Sequence, residues 1–147
     1  MKKIILLSGG FDPVHIGHVR MFREASWAGD CVIVGLNSDE WLTRKKGKPF
    51  MPWEERREIL MAFTSIGDVL GFDDSDGTAC DFLRKISEMY SHYPSDHQIY
   101  FGNGGDRTNE TTPEITYCKS NGIKLLWDVG GGKIQSSSWL IKGDKNG

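Results

Sequence analysis

Five short apolar runs alternate along the chain with segments whose apolar residues recur at helical spacing, and this alternation limits the fold more than any other feature of the sequence. The first run, residues 3–7, is continuous (Lys-Ile-Ile-Leu-Leu) and is stopped by Ser8-Gly9-Gly10, as expected of a strand buried on both faces of a parallel sheet. Residues 15–28 then carry Ile16, Val19, Met21, Phe22, Ala25 and Trp27 at spacings that suit a helix closed by Gly29. A second β-branched run at 31–36 completes a βαβ unit. Asn37-Ser38-Asp39 offers N-cap chemistry for a short helix at 40–43, followed by a basic, proline-containing loop at 44–49. Pro52 and Glu54-Glu55 suit a helix start, and Ile59, Leu60 and Phe63 continue that helix. Further strands are expected at 68–72, 98–101 and 123–129, with helices at 78–90 and 112–120 and a short one starting at 136–138. The pattern predicts an α/β domain: a doubly wound, parallel, five-stranded sheet with helices on both faces, a three-layer sandwich.

Its 147 residues are expected to form one compact domain, 1–147, with no repeat or linker. Glycine supplies 18 of the 147 residues, well above the roughly 7% of average usage. Eight fall in three clusters, Gly9-Gly10, Gly102 with Gly104 and Gly105, and Gly130 to Gly132, each following an expected strand. Ligands of open α/β sheets bind beyond the carboxyl ends of the strands, so the three clusters are expected to converge. A formal charge of −2 gives no global basic field, so neither nucleic acid nor a membrane is expected as partner. Cys31, Cys80 and Cys118 are odd in number and far apart, without a CxxC pair; they read as buried free thiols in a reducing cytoplasm. No stretch approaches the ~20 apolar residues of a membrane span. The five tryptophans, Trp27, Trp41, Trp53, Trp127 and Trp139, read as core or interface residues, with Trp41 and Trp139 near the site motifs.

Chemistry concentrates where the first strand turns into the first helix: Gly9-Gly10-Phe11-Asp12-Pro13-Val14-His15-Ile16-Gly17-His18. Glycines let backbone approach an anion, and the free N–H groups of a helix start bind phosphate. His15 and His18 are three apart with only Gly17 and Ile16 between, which sets both imidazoles over the first turn on one side. Two such donors beside a helix N-terminus suit a phosphoryl group better than a metal. Read singly, either histidine could instead cap the helix or pack.

This segment resembles the G-x-F-D-x-x-H-x-G-H pattern of the cytidylyltransferase-like nucleotidyltransferases. Class I aminoacyl-tRNA synthetases share the HIGH element, but no KMSKS-like segment is present and the chain is far shorter. DCVIVGLNSDEW, KGKPFMPWEERREIL, GNGGDR and IQSSSWLI follow in the order seen in the branch that holds glycerol-phosphate cytidylyltransferases and the adenylyltransferase domains of ADP-heptose synthesis. The resemblance implies a Rossmann-like, HUP-type fold. It also implies transfer of a nucleoside monophosphate from CTP or ATP to a small phosphorylated acceptor, a sugar or polyol phosphate, with release of pyrophosphate and with Mg²⁺ carried mainly by the triphosphate. Members of the family are often homodimers. The alternatives are a cofactor adenylyltransferase of the flavin or phosphopantetheine type, and a nucleotide-binding module without turnover.

By the same resemblance, His15, His18 and Lys46 are the catalytic candidates. Gly9, Gly10, Phe11, Asp12, Gly17, Gly105, Asp106, Ser136, Ser137 and Ser138 would join the histidines in binding nucleotide. Lys45, Lys48, Arg56 and Lys133 are further candidates for phosphate or acceptor. Each has a plainer reading: the lysines as a solvated charge run, Arg56 as half of a surface ion pair, Asp106 as a turn residue, the serines as an ordinary N-cap. Lys133 stands where the glycerol branch carries an arginine, whose bidentate geometry a lysine does not reproduce. No protein-held metal is expected.

Overall fold

The apolar run at the N-terminus becomes β1 (Lys2–Gly9), whose Ile4, Ile5, Leu6 and Leu7 are all buried, so it runs through the middle of the sheet as expected. A computed structural model describes residues 1–92, 95–103, 112–127 and 129. After β1 come α1 (Ile16–Ala28), β2 (Cys31–Leu36), α2 (Asp39–Lys46), α3 (Trp53–Met61), β3 (Asp68–Gly71), α4 (Cys80–Met89), β4 (His97–Asn103), α5 (Pro113–Ser120) and β5 (Lys124–Trp127). All four strand pairings are parallel, in the order β3-β2-β1-β4-β5. Alternate residues of β1 face opposite layers. Ile5 and Leu7 pack with Phe22 and Ala25 of α1 and Leu60 of α3. Ile4 and Leu6 pack with Phe82, Leu83 and Ile86 of α4 and Cys118 of α5. Each fully buried side chain of this kind contributes about 1.5–3 kcal/mol.

The order places a topological switch between β1 and β4, because the chain winds outward through β2 and β3 before returning on the other side of β1. The register shows where a crevice opens. On the β2 side pairing runs on to Gly9↔Leu36, whereas on the β4 side it ends at Leu6↔Phe101.

Close packing accounts for two glycines within the sheet. A Cβ on Gly35 would lie 2.6 Å from the ring of the buried Phe82, and one on Gly102 would lie 2.7 Å from Leu7 Cδ2. Gly102 therefore serves sheet packing at the start of its cluster. Gly35→Ala is expected to lower stability by about 1–3 kcal/mol, as overpacking does in a filled core, and a denaturant titration reads this directly.

Several boundaries differ from the sequence reading. Arg44, Lys45 and Lys46 form the last turn of α2 and not a loop; three cations there complement the negative end of the helix dipole. Gly47, at φ 98°, then ends the helix in a left-handed conformation that favours glycine. Phe63 lies beyond α3 but still packs its ring 5.3 Å from that of Phe22. Trp27 is 62% exposed: two residues on from the buried Ala25, it sits about 200° around α1 from it. The three cysteines are free, but only Cys118 is buried; Cys31 and Cys80 are partly exposed. Burial, with the nearby Cys80 thiol and Glu114, pushes the Cys118 thiol up to about 12. Among the described residues no helix is long and apolar enough to cross a membrane. The expected final helix, Trp139 and the third glycine cluster lie outside the described residues.

Candidate active site at the carboxyl end of the first strand

The chain leaves β1 through Gly10 into Phe11, a non-glycine residue at φ 48°, a conformation that bulky residues rarely adopt. Burial of the ring holds it there. Phe11 is 4% exposed and lies edge-on to His18, with ring centroids 4.8 Å apart, and tilted against Phe22 at 5.4 Å. A Cβ on Gly9 would meet the Phe11 ring at 3.0 Å, and one on Gly10 would meet Leu42 Cδ2 at 2.8 Å. The Gly9-Gly10 pair thus makes room for the protein's own side chains as well as opening backbone at the crevice.

His15 and His18 together build the start of α1. The Gly17 N–H donates to His15 Nδ1 at 3.1 Å, and the His15 N–H donates to His18 Nδ1 at 3.2 Å, a reciprocal capping box made from two imidazoles. Their rings stack, centroids 3.8 Å apart and planes 25° from parallel. With each Nδ1 accepting from a backbone N–H, the neutral ring must carry its proton on Nε2. The network therefore assigns two Nε2–H donors, side by side and directed away from the helix backbone. Desolvation, with a smaller contribution from His15, lowers the pKa of His18 from 6.5 to about 4, so at neutral pH it is an uncharged donor.

That shift has a measurable sign. Between about 4 and 6.5 the unfolded chain binds a proton at this position that the folded protein refuses, so the stability contribution is complete above pH 6.5 and declines as the pH falls towards 4. In an NMR titration the His18 ring is expected to stay neutral at pH 5.5. A midpoint near 6.5 would refute the assignment.

Asp12 clasps this loop to the next. Its carboxylate accepts from the N–H groups of Phe50 (2.6 Å) and Met51 (2.8 Å) and pairs with the Lys46 ammonium at 2.8 Å; Lys46 also donates to the Asp12 carbonyl at 2.7 Å. Burial raises the Asp12 pKa, but Lys46 and the two backbone donors outweigh it and hold the carboxyl below its ordinary value. The Asp12 side chain is 1% exposed, so it acts on the loop, and it holds Lys46, 38% exposed, on the turn that precedes α1. Lys45 lies over the Trp41 ring at 4.6 Å from its centroid, and Lys48 is exposed.

Arg56 forms an ion pair, as its plainer reading expects, but not at the surface. It is fully buried, and its guanidinium donates to the carbonyls of Met51, Gly10 and Asn37, each at 2.9 Å, and to Asp39 Oδ1 at 2.6 Å. Those donors are committed inside the protein, and the ion pair it forms with Asp39 is buried on the arginine side. Sequence reasoning missed Asp74 altogether. One of three acids between residues 73 and 76, it is 4% exposed and accepts from the Asn37 side chain, the Ser38 N–H and the Ser38 hydroxyl at 2.7–2.9 Å. Ser38 in turn caps α2 by accepting from the Trp41 N–H at 3.0 Å. Gly104, Gly105, Asp106, Lys133, Ser136, Ser137 and Ser138 lie outside the described residues.

The loop thus brings two imidazole Nε2–H donors and one ammonium to a topological switch point of the sheet. A model of the cytidylyltransferase-like family matches residues 6–119. The bifunctional protein HldE of Sulfurimonas denitrificans is 41% identical over 145 residues, covering 97% of this chain and 28% of that protein. HldE of Pelobacter propionicus is 39% identical over 111 residues, 74% of this chain and 20% of that one. The chain belongs to the cytidylyltransferase-like family of nucleotidyltransferases, and it spans less than a third of the length of these relatives. Among solved structures, a lipopolysaccharide core biosynthesis protein from Thermoplasma volcanium shares the fold with TM-score 0.59 at 14% identity, over 86% of this chain and 96% of that one. A bifunctional NMN adenylyltransferase/ADP ribose pyrophosphatase from Francisella tularensis gives 0.60 at 17% identity, over 86% of this chain and 38% of that one.

Proposed function

We propose that this domain transfers an adenylyl group from ATP to the phosphate of a small phosphorylated sugar. An acceptor phosphate oxygen attacks the α-phosphorus in line, the bond from that phosphorus to the bridging oxygen breaks, and pyrophosphate leaves with the electron pair. The observation that carries the reading is the histidine pair, whose Nδ1 atoms both accept from backbone N–H groups, which leaves the two Nε2–H groups as the donors. Neutral donors fixed before substrate arrives stabilise charge as it grows on phosphate oxygens and need no reorganisation at that moment. Lys46, anchored on Asp12, adds positive charge to the loop that leads into them. Such a site needs no protein nucleophile, because the acceptor supplies its own.

Among the described residues no group of three or more His, Cys, Asp or Glu is arranged to hold a metal, and the loop carboxylate of Asp12 is already committed. Mg²⁺ would therefore arrive with the triphosphate and would supply charge neutralisation for the leaving pyrophosphate.

The choice of ATP over CTP, and of a sugar over a polyol phosphate, draws support from the HldE relatives, proteins of ADP-heptose synthesis, and from the Gly104-Gly105-Asp106 match to that branch. A cytoplasmic setting accords with the free thiols. A pyrophosphate-release panel of ATP and CTP against sugar, polyol and cofactor phosphates tests all of this: turnover is expected with ATP and a sugar phosphate. Turnover only with a flavin or pantetheine phosphate would overturn the acceptor class. Thermal stabilisation by MgATP with no turnover on any acceptor would favour a binding module.

A further inference from the structure

We propose that Arg56 is a positioning residue: by holding the Gly10 carbonyl, its buried guanidinium turns the Phe11 amide N–H towards the nucleotide phosphates. The inference rests on the reading of the site as a triphosphate site and assigns a device within it. In an extended strand successive carbonyls point to opposite sides. At the end of β1 they do not. The Gly9 carbonyl accepts from the Asn37 N–H at 2.9 Å, and the Gly10 carbonyl accepts from Arg56 Nη1, which also donates to the Asn37 carbonyl. Two consecutive carbonyls are thus held on the β2 side of the chain.

Both peptides are trans, so the N–H of each points opposite to its carbonyl. The Gly10 and Phe11 N–H groups therefore turn away from β2, towards the side where pairing with β4 has already ended at Leu6↔Phe101. Successive backbone N–H groups aimed at one place form an anion-binding concavity. The same guanidinium supplies an internal precedent. It holds the Asn37 carbonyl at 2.9 Å, and across that peptide the Ser38 N–H donates to an anion, the buried Asp74 carboxylate, at 2.8 Å. At Gly10–Phe11 the anion is the substrate's phosphate. The chain turns immediately after this peptide, at Phe11 with φ 48°, and the packing of its ring on His18 and Phe22 holds that turn from the other end.

The test compares ¹⁵N-labelled wild type, Arg56→Lys and Leu60→Ala, titrated with MgATP. Leu60 is fully buried on the same helix and lies outside the binding machinery, so its variant is a control for lost stability alone. In the wild type the Gly10 and Phe11 amide resonances are expected to shift downfield on saturation. Arg56→Lys is expected to weaken MgATP binding by about tenfold to a hundredfold, the range for a hydrogen bond to a charged group, and to lose the Phe11 shift; Leu60→Ala is expected to bind like wild type. Binding by Arg56→Lys within twofold of wild type would overturn the inference, as would equal losses in Leu60→Ala. Should Arg56→Lys not fold, the wild type still decides: a Phe11 amide unmoved at saturating MgATP overturns the positioning role while adenylyl transfer stands. A wild type that binds no MgATP overturns both.

Discussion

His18→Ala and His15→Ala are each expected to lower kcat by about a hundredfold to a thousandfold, the loss seen when one preorganised donor to a developing oxyanion is removed. The effect should fall on kcat more than on KM, because the donors matter most when charge is greatest. The two variants are not equivalent in stability. His15→Ala also removes the side-chain acceptor for the Gly17 N–H at the start of α1, at a cost of about 1 kcal/mol. His18→Ala removes the acceptor for the His15 N–H and leaves the Phe11 ring edge without its partner. The double variant should be less than multiplicative, since each ring orients the other through the stack and the shared cap. Steady-state kinetics at neutral pH, with circular dichroism to confirm folding, measures all three. Turnover within threefold of wild type in both single variants would remove the histidines from the mechanism.

Arg56→Met should destabilise the fold more than Gly35→Ala does, by about 3–5 kcal/mol, in line with breaking a buried, hydrogen-bonded ion pair from one side. Three carbonyls, of Gly10, Asn37 and Met51, would lose their donor, and Asp39 would lose its cation. Because Asp39 is 38% exposed, water partly replaces its partner, so the carbonyls account for more of the loss than the carboxylate does. Urea unfolding followed by fluorescence reads the change as a shift in midpoint at constant slope. A loss below about 1 kcal/mol would show that water enters to satisfy those carbonyls.

Much of the fold is legible in the sequence, for local reasons. The alternation of apolar runs and helical spacings identifies the three-layer fold, because burial on two faces and burial on one face leave different patterns within a few residues. The His15-x-x-His18 spacing is legible as two rings over one helical turn, and the structure adds that the same spacing is that of a capping box. What the sequence does not reveal depends on which distant chain segment comes alongside. Arg56 has the same neighbours in sequence whether it is solvated or buried; only the approach of Gly10, Asn37 and Met51 buries it. Asp74 differs from Asp73 and Asp76 in nothing but the side of the turn on which Asn37 and Ser38 arrive. The basic stretch 44–46 reads as a loop because its neighbours Gly47 and Pro49 break helices, yet the break falls just after Lys46.

The most direct test of adenylyl transfer at the histidine pair follows the label from ATP. With a sugar phosphate as acceptor and Mg²⁺ present, ATP labelled at the α-phosphorus should deliver its label to the sugar product, and ATP labelled at the γ-phosphorus should release it as pyrophosphate, with both transfers slowed about a hundredfold or more in His18→Ala. Delivery of the γ-label to the acceptor, or transfer of the α-label at an undiminished rate in His18→Ala, would contradict it.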